Sequence, residues 1–497
     1  MTTSSPAVGA RHPLARDMPG FVRELSVFER LYSGRVQHMG YLTNALHIVS
    51  KVPLTEELVH SALQRLMRMI PTFRYVIRDQ RPGGTPLEHP VFVELADPQI
   101  DLKTLETTEW IDVLSQEWDV KFDVYNGPCW RVKFLPNVKL DHTDDTFKYG
   151  GVVIFTFVHS IIDGITYQRT FSHFLDCLEA VVAGVTGEPV KFQPYPPLDY
   201  YLDEKPGMFD GIIRTLLCII LRSSKGRRIF SWFSGLGKQQ KYLACNKLPI
   251  EEDPSTPEVS SVVPMVISRE DTACIVQAAK ARGATVHGVL MTAAAFAYSK
   301  MIQSNYPINM MLNTFTPVNM RRFFRELSLD SYGIYVQAVS FQMLLKVKSG
   351  RDEYEALWSL AKSTTSEVRK QIEMKSYLHF NASSRNILPA LETYHPPIRE
   401  LAPFKYGRDA NDFYVTNMMK CDYLTRSDDA NFKLVGRFGG ISMGEAGCII
   451  GNNLNTFNGQ IYWTLIYDKH ILHRQRVVAY GNIIQETLRK MCGDSAV

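Results

Sequence analysis

The stretch from Gly151 to Gly164, Gly-Val-Val-Ile-Phe-Thr-Phe-Val-His-Ser-Ile-Ile-Asp-Gly, constrains the fold of this chain more than any other. The eight residues before His159 carry no charge and are mostly β-branched or aromatic. They read as a strand buried on both faces, which demands sheet neighbours and a covering layer. The run stops at His159, and Asp163 and Gly164 follow four and five residues later. An amphipathic segment comes next, with Tyr167, Phe171, Phe174, Leu178 and Val182 at helical spacing.

A histidine at the end of an apolar strand is more often a packed structural residue than a catalyst. A turn closed by Asp-Gly can nevertheless hold the ring rigidly with one nitrogen toward a cavity, which suits general-base chemistry. A metal reading is weaker. His159 and Asp163 have the i, i+4 spacing that serves ligands on a helix, but this stretch is strand-like and no third ligand is near, so no metal site is expected. His470 and His473, after the apolar run Ile461 to Tyr467, read as surface residues.

At 497 residues the chain can bury a large core, and its length suggests two domains or more. A net charge of +4, without a basic stripe interleaved with aromatics, argues against a nucleic-acid partner. The eight cysteines lack C-x-x-C spacing and read as reduced thiols of an intracellular protein, without a disulfide framework or zinc site. The first residues, Met-Thr-Thr-Ser-Ser-Pro, lack the apolar core of a signal peptide. No run of about eighteen apolar residues predicts a spanning helix.

Residues 1–20 read as a flexible N-terminus and 21–185 as a first α/β domain. In it, Thr55 caps a helix with Leu58, Ala62, Leu66 and Met69 on one face, and Pro71 ends that helix. Strands are expected at 74–79 and 149–158. Proline and glycine become frequent after Gly184, which makes 186–258 a long crossover. A second domain, 259–497, opens with a strand at 259–267. Ser268 and Asp271 then start a helix that stops at Gly283, and Thr285 caps an alanine-rich helix to Lys300. Strands at 310–317 and 336–347, a charged helix at 352–373, strands at 413–418 and 460–467 and a final helix at 472–491 complete it. The segment Asn313 to Arg321 ends its strand in Asn319 and Arg321. Such an arginine is solvated by default, unless a buried carboxylate such as Asp163 needs it.

Five segments in order now resemble one family. His159-Ser-Ile-Ile-Asp163-Gly164 is similar to the HxxxDG motif. Glu24 to Tyr32 looks like the opening segment of alcohol acetyltransferases, and Leu63 to Arg74 like a helix followed by "hPxLr". Ala284 to Leu290 resembles "aTvhaaL", and Pro317-Val-Asn-Met-Arg321 resembles "pvNlR". The superfamily that shares these features includes chloramphenicol acetyltransferase, plant BAHD acyltransferases, fungal alcohol acetyltransferases, wax ester synthases and the condensation domains of nonribosomal peptide synthetases. The resemblance covers about residues 22 to 490.

It implies two similar α/β domains of the chloramphenicol-acetyltransferase-like type, with a channel between them. It also implies an acyl-CoA-dependent O-acyltransferase of secondary metabolism, acting on a small hydrophobic alcohol. His159 would be the general base. Asp163 joins the catalytic set by pairing with Arg321, away from the imidazole, to hold the turn, and Gly164 lets the backbone fold tightly. Thr416 and Asn417, in Tyr414-Val-Thr-Asn417, and Asn319 are the implied substrate-binding residues. No bound cofactor is implied, only acyl-CoA, acetyl-CoA foremost, as co-substrate. The expected protein is a cytoplasmic monomer. Two departures favour the alcohol acetyltransferase branch: Val158 stands where condensation domains carry a second histidine, and the DFGWG motif of plant enzymes is missing. The glycine-rich stretch 436–447 reads instead as a hairpin or loop. Two alternatives remain: an N-acyltransferase or free-standing condensation-type enzyme with a carrier-bound donor, and a non-catalytic ligand-binding member.

Within the crossover, 211–221 is strongly apolar and is followed by Arg222, Lys225, Arg227 and Arg228, then Phe230, Trp232 and Phe233. It is too short to span a bilayer. It reads either as a helix packed on the protein's own surface or as an interfacial segment resting peripherally on an intracellular membrane. If 211–233 is interfacial, the protein will sediment with anionic liposomes at low salt, and polar replacement of Ile213, Leu217 and Ile220 will abolish this. No binding by the unmodified chain would leave the packed helix.

Overall fold

The computed structural model describes residues 18–33, 41–80, 84, 86–140, 142, 144–202, 216, 260–374, 411–443, 448–469 and 471–493. The flexible N-terminus and the interfacial segment 211–233 therefore fall almost wholly outside the described residues. The strands are β1 (Phe21–Glu24), β2 (Tyr41–Ser50), β3 (Tyr75–Gln80), β4 (Pro86–Glu94), β5 (Leu102–Thr104), β6 (Trp130–Leu135), β7 (Tyr149–Val158), β8 (Ser260–Ile267), β9 (Ile308–Asn319), β10 (Val336–Val347), β11 (Phe413–Lys420), β12 (Phe432–Ile441), β13 (Ile450–Phe457) and β14 (Gln460–Asp468). The helices are α1 (Val27–Leu31), α2 (Glu56–Met69), α3 (Trp110–Glu117), α4 (Gly164–Val182), α5 (Leu198–Tyr201), α6 (Arg269–Arg282), α7 (Val286–Ile302), α8 (Arg351–Glu373) and α9 (Arg474–Cys492).

β7 lies at the centre of a five-stranded sheet ordered β12-β2-β7-β6-β5. Its apolar run is buried from Gly151 to Val158, as a central strand covered on both faces requires. α4 covers one face. Its Phe171 and Phe174 pack against Phe155, one tilted and one edge-on, with ring centroids 5.6 and 5.2 Å away. A smaller sheet, β1-β4-β3, flanks this half.

The second half is built on a six-stranded sheet, β10-β9-β11-β13-β14-β8. β13 and β14 are joined by Asn458-Gly459, both with positive φ (50° and 74°), the pairing that a two-residue hairpin of matching twist needs. α7 is buried around most of its circumference, and its alanines let it pack between neighbouring helices. A Cβ at Gly288 would lie 2.3 Å from the Thr365 hydroxyl and 2.8 Å from the Ala361 carbonyl, so glycine here permits the close approach of α7 to α8.

The two halves are not separate along the chain. Residues 432–441, expected inside the second domain and partly as a loop, form β12, which pairs antiparallel with β2 at the edge of the first sheet. The glycines that suggested a hairpin serve close approach instead. Gly439 has φ +141°, and a Cβ there would stand 2.1 Å from the Thr43 carbonyl. A side chain at this position meets both backbone strain and a hard contact. Gly439→Ala is expected to destabilise by about 1–3 kcal/mol, the usual cost of overpacking. Gly184→Ala, at a positive φ in open space, should cost less. Denaturation midpoints of the two variants check this ordering.

Candidate active site

β7 ends at Val158, and a single 3-10 turn, His159–Ile161, leads to Asp163. Asp163 is the N-cap of α4. Its Oδ1 accepts hydrogen bonds from the Ile165 and Thr166 amides, each at 3.1 Å, and the Thr166 hydroxyl accepts from the Asp163 amide at 3.2 Å. The Asp-Gly pair that reads as a turn closure is thus a helix start. Met418, from the other half, sits over Gly164. A Cβ would lie 2.3 Å from the Met418 methyl carbon, so any larger residue would displace that side chain.

The second carboxylate oxygen of Asp163 joins the halves. Oδ2 accepts from Arg321 Nη1 at 2.7 Å and from the Tyr335 amide at 2.9 Å. Both side chains of the ion pair are almost fully buried, at 2% and 1% exposure. Burial by itself would raise the Asp163 pKa. The Arg321 charge and hydrogen bond and the Tyr335 and Thr166 amides outweigh it and hold the carboxyl below its usual range. Arg321 Nη2 donates to the Ser331 carbonyl at 2.7 Å, and its guanidinium lies over the Tyr335 ring at 4.7 Å. Further along α4, Arg169 donates twice to Asp330 (2.7 and 2.9 Å), His173 meets Asp330 at 2.9 Å, and Thr170 meets the Tyr332 hydroxyl at 3.2 Å. One face of α4 therefore grips the 330–335 loop along its length.

His159 is buried, and its ring stacks on Tyr32 with centroids 4.7 Å apart and planes 24° apart. Tyr32 follows α1, which is fixed by a capping box between Ser26 and Glu29 and by a bidentate Arg23–Glu29 pair at 2.6 and 2.7 Å. Burial lowers the His159 pKa, and the backbone of His159 and Ile162 and the Asp163 charge offset this only in part. Nδ1 is buried without a hydrogen-bond partner. Nε2 is thus the nitrogen available to the cavity that His159 lines.

That cavity, about 340 Å³, lies where the two halves meet. His159, Asp163, Gly164, Asn319, Thr416 and Asn417 all line it, and Arg321 stands behind Asp163. Two of the asparagines are partly committed to the fold: Asn319 Oδ1 accepts from the Arg321 amide at 3.1 Å, and Asn417 Oδ1 from the Met419 amide at 2.8 Å. Their amide nitrogens are the groups left for a ligand. Tyr32, Gln337, Ser340 and Asn453 also line the cavity and were not singled out from the sequence. Three asparagines inside the apolar β13 were the available signal. Asn452 donates to the Tyr414 carbonyl and Asn453 to the Tyr414 hydroxyl, each at 3.0 Å, which fixes β11 and its Thr416 against β13. His473 is exposed on the surface, and His470 lies outside the described residues. Among the described residues, no three His, Cys, Asp or Glu side chains gather as a metal site would need.

A family model described as "Alcohol acetyltransferase" matches residues 232–394. No curated protein matches the chain in sequence. Solved structures match nearly all of it. The trichothecene 15-O-acetyltransferase from Fusarium sporotrichioides superposes with a TM-score of 0.65 at 14% identity, over 94% of each chain. The epimerization domain from the third module of tyrocidine synthetase B gives 0.58 at 13% identity, over 95% of this chain and 97% of that one. The condensation domain of the Monacolin K polyketide synthase gives 0.58 at 10% identity, over 96% and 99%. These likenesses show the fold.

Removing one partner of a buried ion pair leaves an uncompensated charge, typically a loss of about 3–5 kcal/mol. Asp163→Asn and Arg321→Met should each destabilise on that scale, and the double variant should lose at least about 1 kcal/mol less than their sum. Chemical denaturation of the four proteins measures the coupling. Additive losses would mean that the pair does not act as a unit.

Proposed function

We propose that this chain, which has the chloramphenicol acetyltransferase-like fold, is an acyltransferase that moves an acyl group from a coenzyme A thioester, acetyl-CoA foremost, to a hydrophobic alcohol. The observation that carries the reading is His159: a buried imidazole with a lowered pKa, in a cavity between the two halves, on a turn locked by Asp163 and Arg321. The match to an alcohol acetyltransferase family model supports the same reading.

In this mechanism Nδ1 keeps the ring proton, buried against the backbone of its own turn, and Nε2 holds the free lone pair. The acceptor hydroxyl gives its proton to Nε2 as its oxygen attacks the thioester carbonyl. The carbon–sulfur bond then breaks, and the leaving thiolate takes the proton back from the imidazolium. Positioned base catalysis of this kind is worth roughly 10²–10⁴ in rate, and alignment of the two substrates in the cavity adds to it. Asp163 and Arg321 position the base. Thr416, Asn417 and Asn319 would bind substrate, through the Thr416 hydroxyl and the asparagine amide nitrogens. The apolar wall formed by Phe28, Leu42, Phe315 and Ile441 suits a hydrophobic acceptor. The protein is further proposed to act as a cytoplasmic monomer that contacts membrane, if at all, through 211–233. Among the described residues, no helix is long and apolar enough to cross one.

The test is a panel of acyl-CoA donors and apolar alcohols read by thiol release and ester product. The unmodified chain should release thiol only with an alcohol present, and His159→Ala should lower the rate by about 10²–10⁴ while remaining folded. Near-normal turnover in that variant would remove the mechanism, and transfer only from carrier-protein thioesters would favour the condensation-type alternative.

The pH profile follows from the lowered His159 pKa. The base works when neutral, and burial shifts its protonation to lower pH. The acid limb of kcat/KM should therefore fall below pH 6.5, the ordinary value for histidine, with a plateau at neutral pH. A limb above 6.5 would contradict this.

A further inference from the structure

The register of the six-stranded sheet sets out the cavity wall that the second half supplies. Phe315 of β9 pairs with Tyr414 of β11, and two residues further on Thr416 pairs with Asn453 of β13. Paired residues, and residues two apart on a strand, share a face, and all four of these line the cavity. Asn453 is held there by two contacts. Its Nδ2 donates to the Tyr414 hydroxyl at 3.0 Å, and its amide lies against bare backbone, since a Cβ at Gly440 would stand 2.7 Å from Asn453 Cγ. With the carboxamide fixed in this way, Oδ1 is left over. Among the described residues nothing donates to it, yet it is not sealed off as the enclosed polar atoms are. The Thr416 hydroxyl, on the next strand about 4.8 Å away, is likewise without a partner and open. Asn319 and Asn417 differ, because each spends its carbonyl oxygen on a backbone amide.

Asn453 Oδ1 can only accept a hydrogen bond, and the Thr416 hydroxyl can donate one. One ligand hydroxyl satisfies both, because its oxygen accepts from Thr416 while its proton goes to Asn453. The amides of a pantetheine arm do not. They are secondary and trans, with N–H and C=O turned to opposite sides, so each meets only one of the two. An ether or ketone oxygen satisfies Thr416 alone. The hydroxyl that reacts is excluded as well, since in the proposed mechanism its proton passes to His159 Nε2. Resting on the acyltransferase reading, we propose that Asn453 is a specificity-determining residue that, together with Thr416, reads a second hydroxyl on the acceptor, the one that is not acylated. The substrate class is then a hydrophobic diol, with its carbon skeleton against Phe28, Leu42, Phe315 and Ile441.

The experiment compares acceptors on one alicyclic skeleton with acetyl-CoA: the 1,2- and 1,3-diols, and the same diols with one hydroxyl methylated. The methyl ether keeps the oxygen that Thr416 meets and loses the proton that Asn453 holds. The quantity read is the ratio of kcat/KM for a diol to that for its ether, taken for the better of the two diols. The unmodified chain should favour the diol by about tenfold, the scale of one hydrogen bond. Asn453→Leu should bring that ratio close to one. Asn453→Asp should keep it, because an acceptor oxygen remains where Oδ1 stood. Where the leucine variant does not fold, Asn453→Ser, too short to reach, reads the same loss. A ratio near one in the unmodified chain, an unchanged ratio in a folded Asn453→Leu or Asn453→Ser protein, or a lost ratio in Asn453→Asp would each overturn this inference alone. Absence of thiol release by the unmodified chain from every CoA donor, with any acceptor, would instead overturn the acyltransferase reading and this inference with it.

Discussion

The rest of the structure depends on one carboxylate, Asp163, and on what it is made to hold. One of its oxygens caps α4, and the other binds a guanidinium and an amide from the opposite half of the molecule. Moving two charges out of water costs several kcal/mol for each ion, and the attraction between them repays this only when the remaining hydrogen-bonding capacity is filled. Here it is filled on the Asp163 side, where the Thr166 hydroxyl also donates at 3.0 Å. It is nearly filled on the Arg321 side, where only Nε is left without a partner. Such a pair adds little net stability over a well-packed apolar pair. What it fixes is geometry: which residue of α4 meets which residue of the 319–335 segment.

That geometry passes directly to His159. The ring sits between Tyr32, anchored through Glu29 and Arg23, and a turn that cannot move without breaking the Asp163 contacts. The remaining α4 contacts, Arg169 and His173 with Asp330 and Thr170 with Tyr332, prevent the two halves from sliding past one another. The cavity is therefore a product of the interface rather than of either half. Its histidine comes from the first sheet, and Thr416 and Asn417 come from the second.

Much of this was legible in the sequence where local chemistry decides structure. The apolar run of β7, the helical spacing of Tyr167 to Leu178, the caps at Thr55, Ser268 and Thr285 and the Gly283 stop each mark elements that the structure contains. Their ends differ by a residue or two, as at the final helix, which starts at Arg474 instead of Leu472. The features that escaped are set by partners distant in the chain. β12 carries three glycines, a local turn signal, yet Gly436 and Gly439 serve the approach of β2 almost four hundred residues earlier, and Gly440 that of Asn453 and Ile466. Tyr32 gains its role from stacking on a ring 127 residues away, which no local sequence pattern encodes. The Asp163–Arg321 contact was accessible only because a buried carboxylate beside an apolar strand requires a cation, and one other strand end supplied it.

In the proposed mechanism this clamp presents His159 as a neutral base with its free nitrogen toward the cavity. Nitrogen-15 NMR of the histidine rings, with the His159 signal assigned by its absence in His159→Ala and followed over pH, tests it most directly. The expected result is a ring that is neutral at pH 7, protonated on Nδ1 and not Nε2, and titrating below 6.5. A His159 ring that is cationic at pH 7, or neutral with its proton on Nε2, would contradict the account.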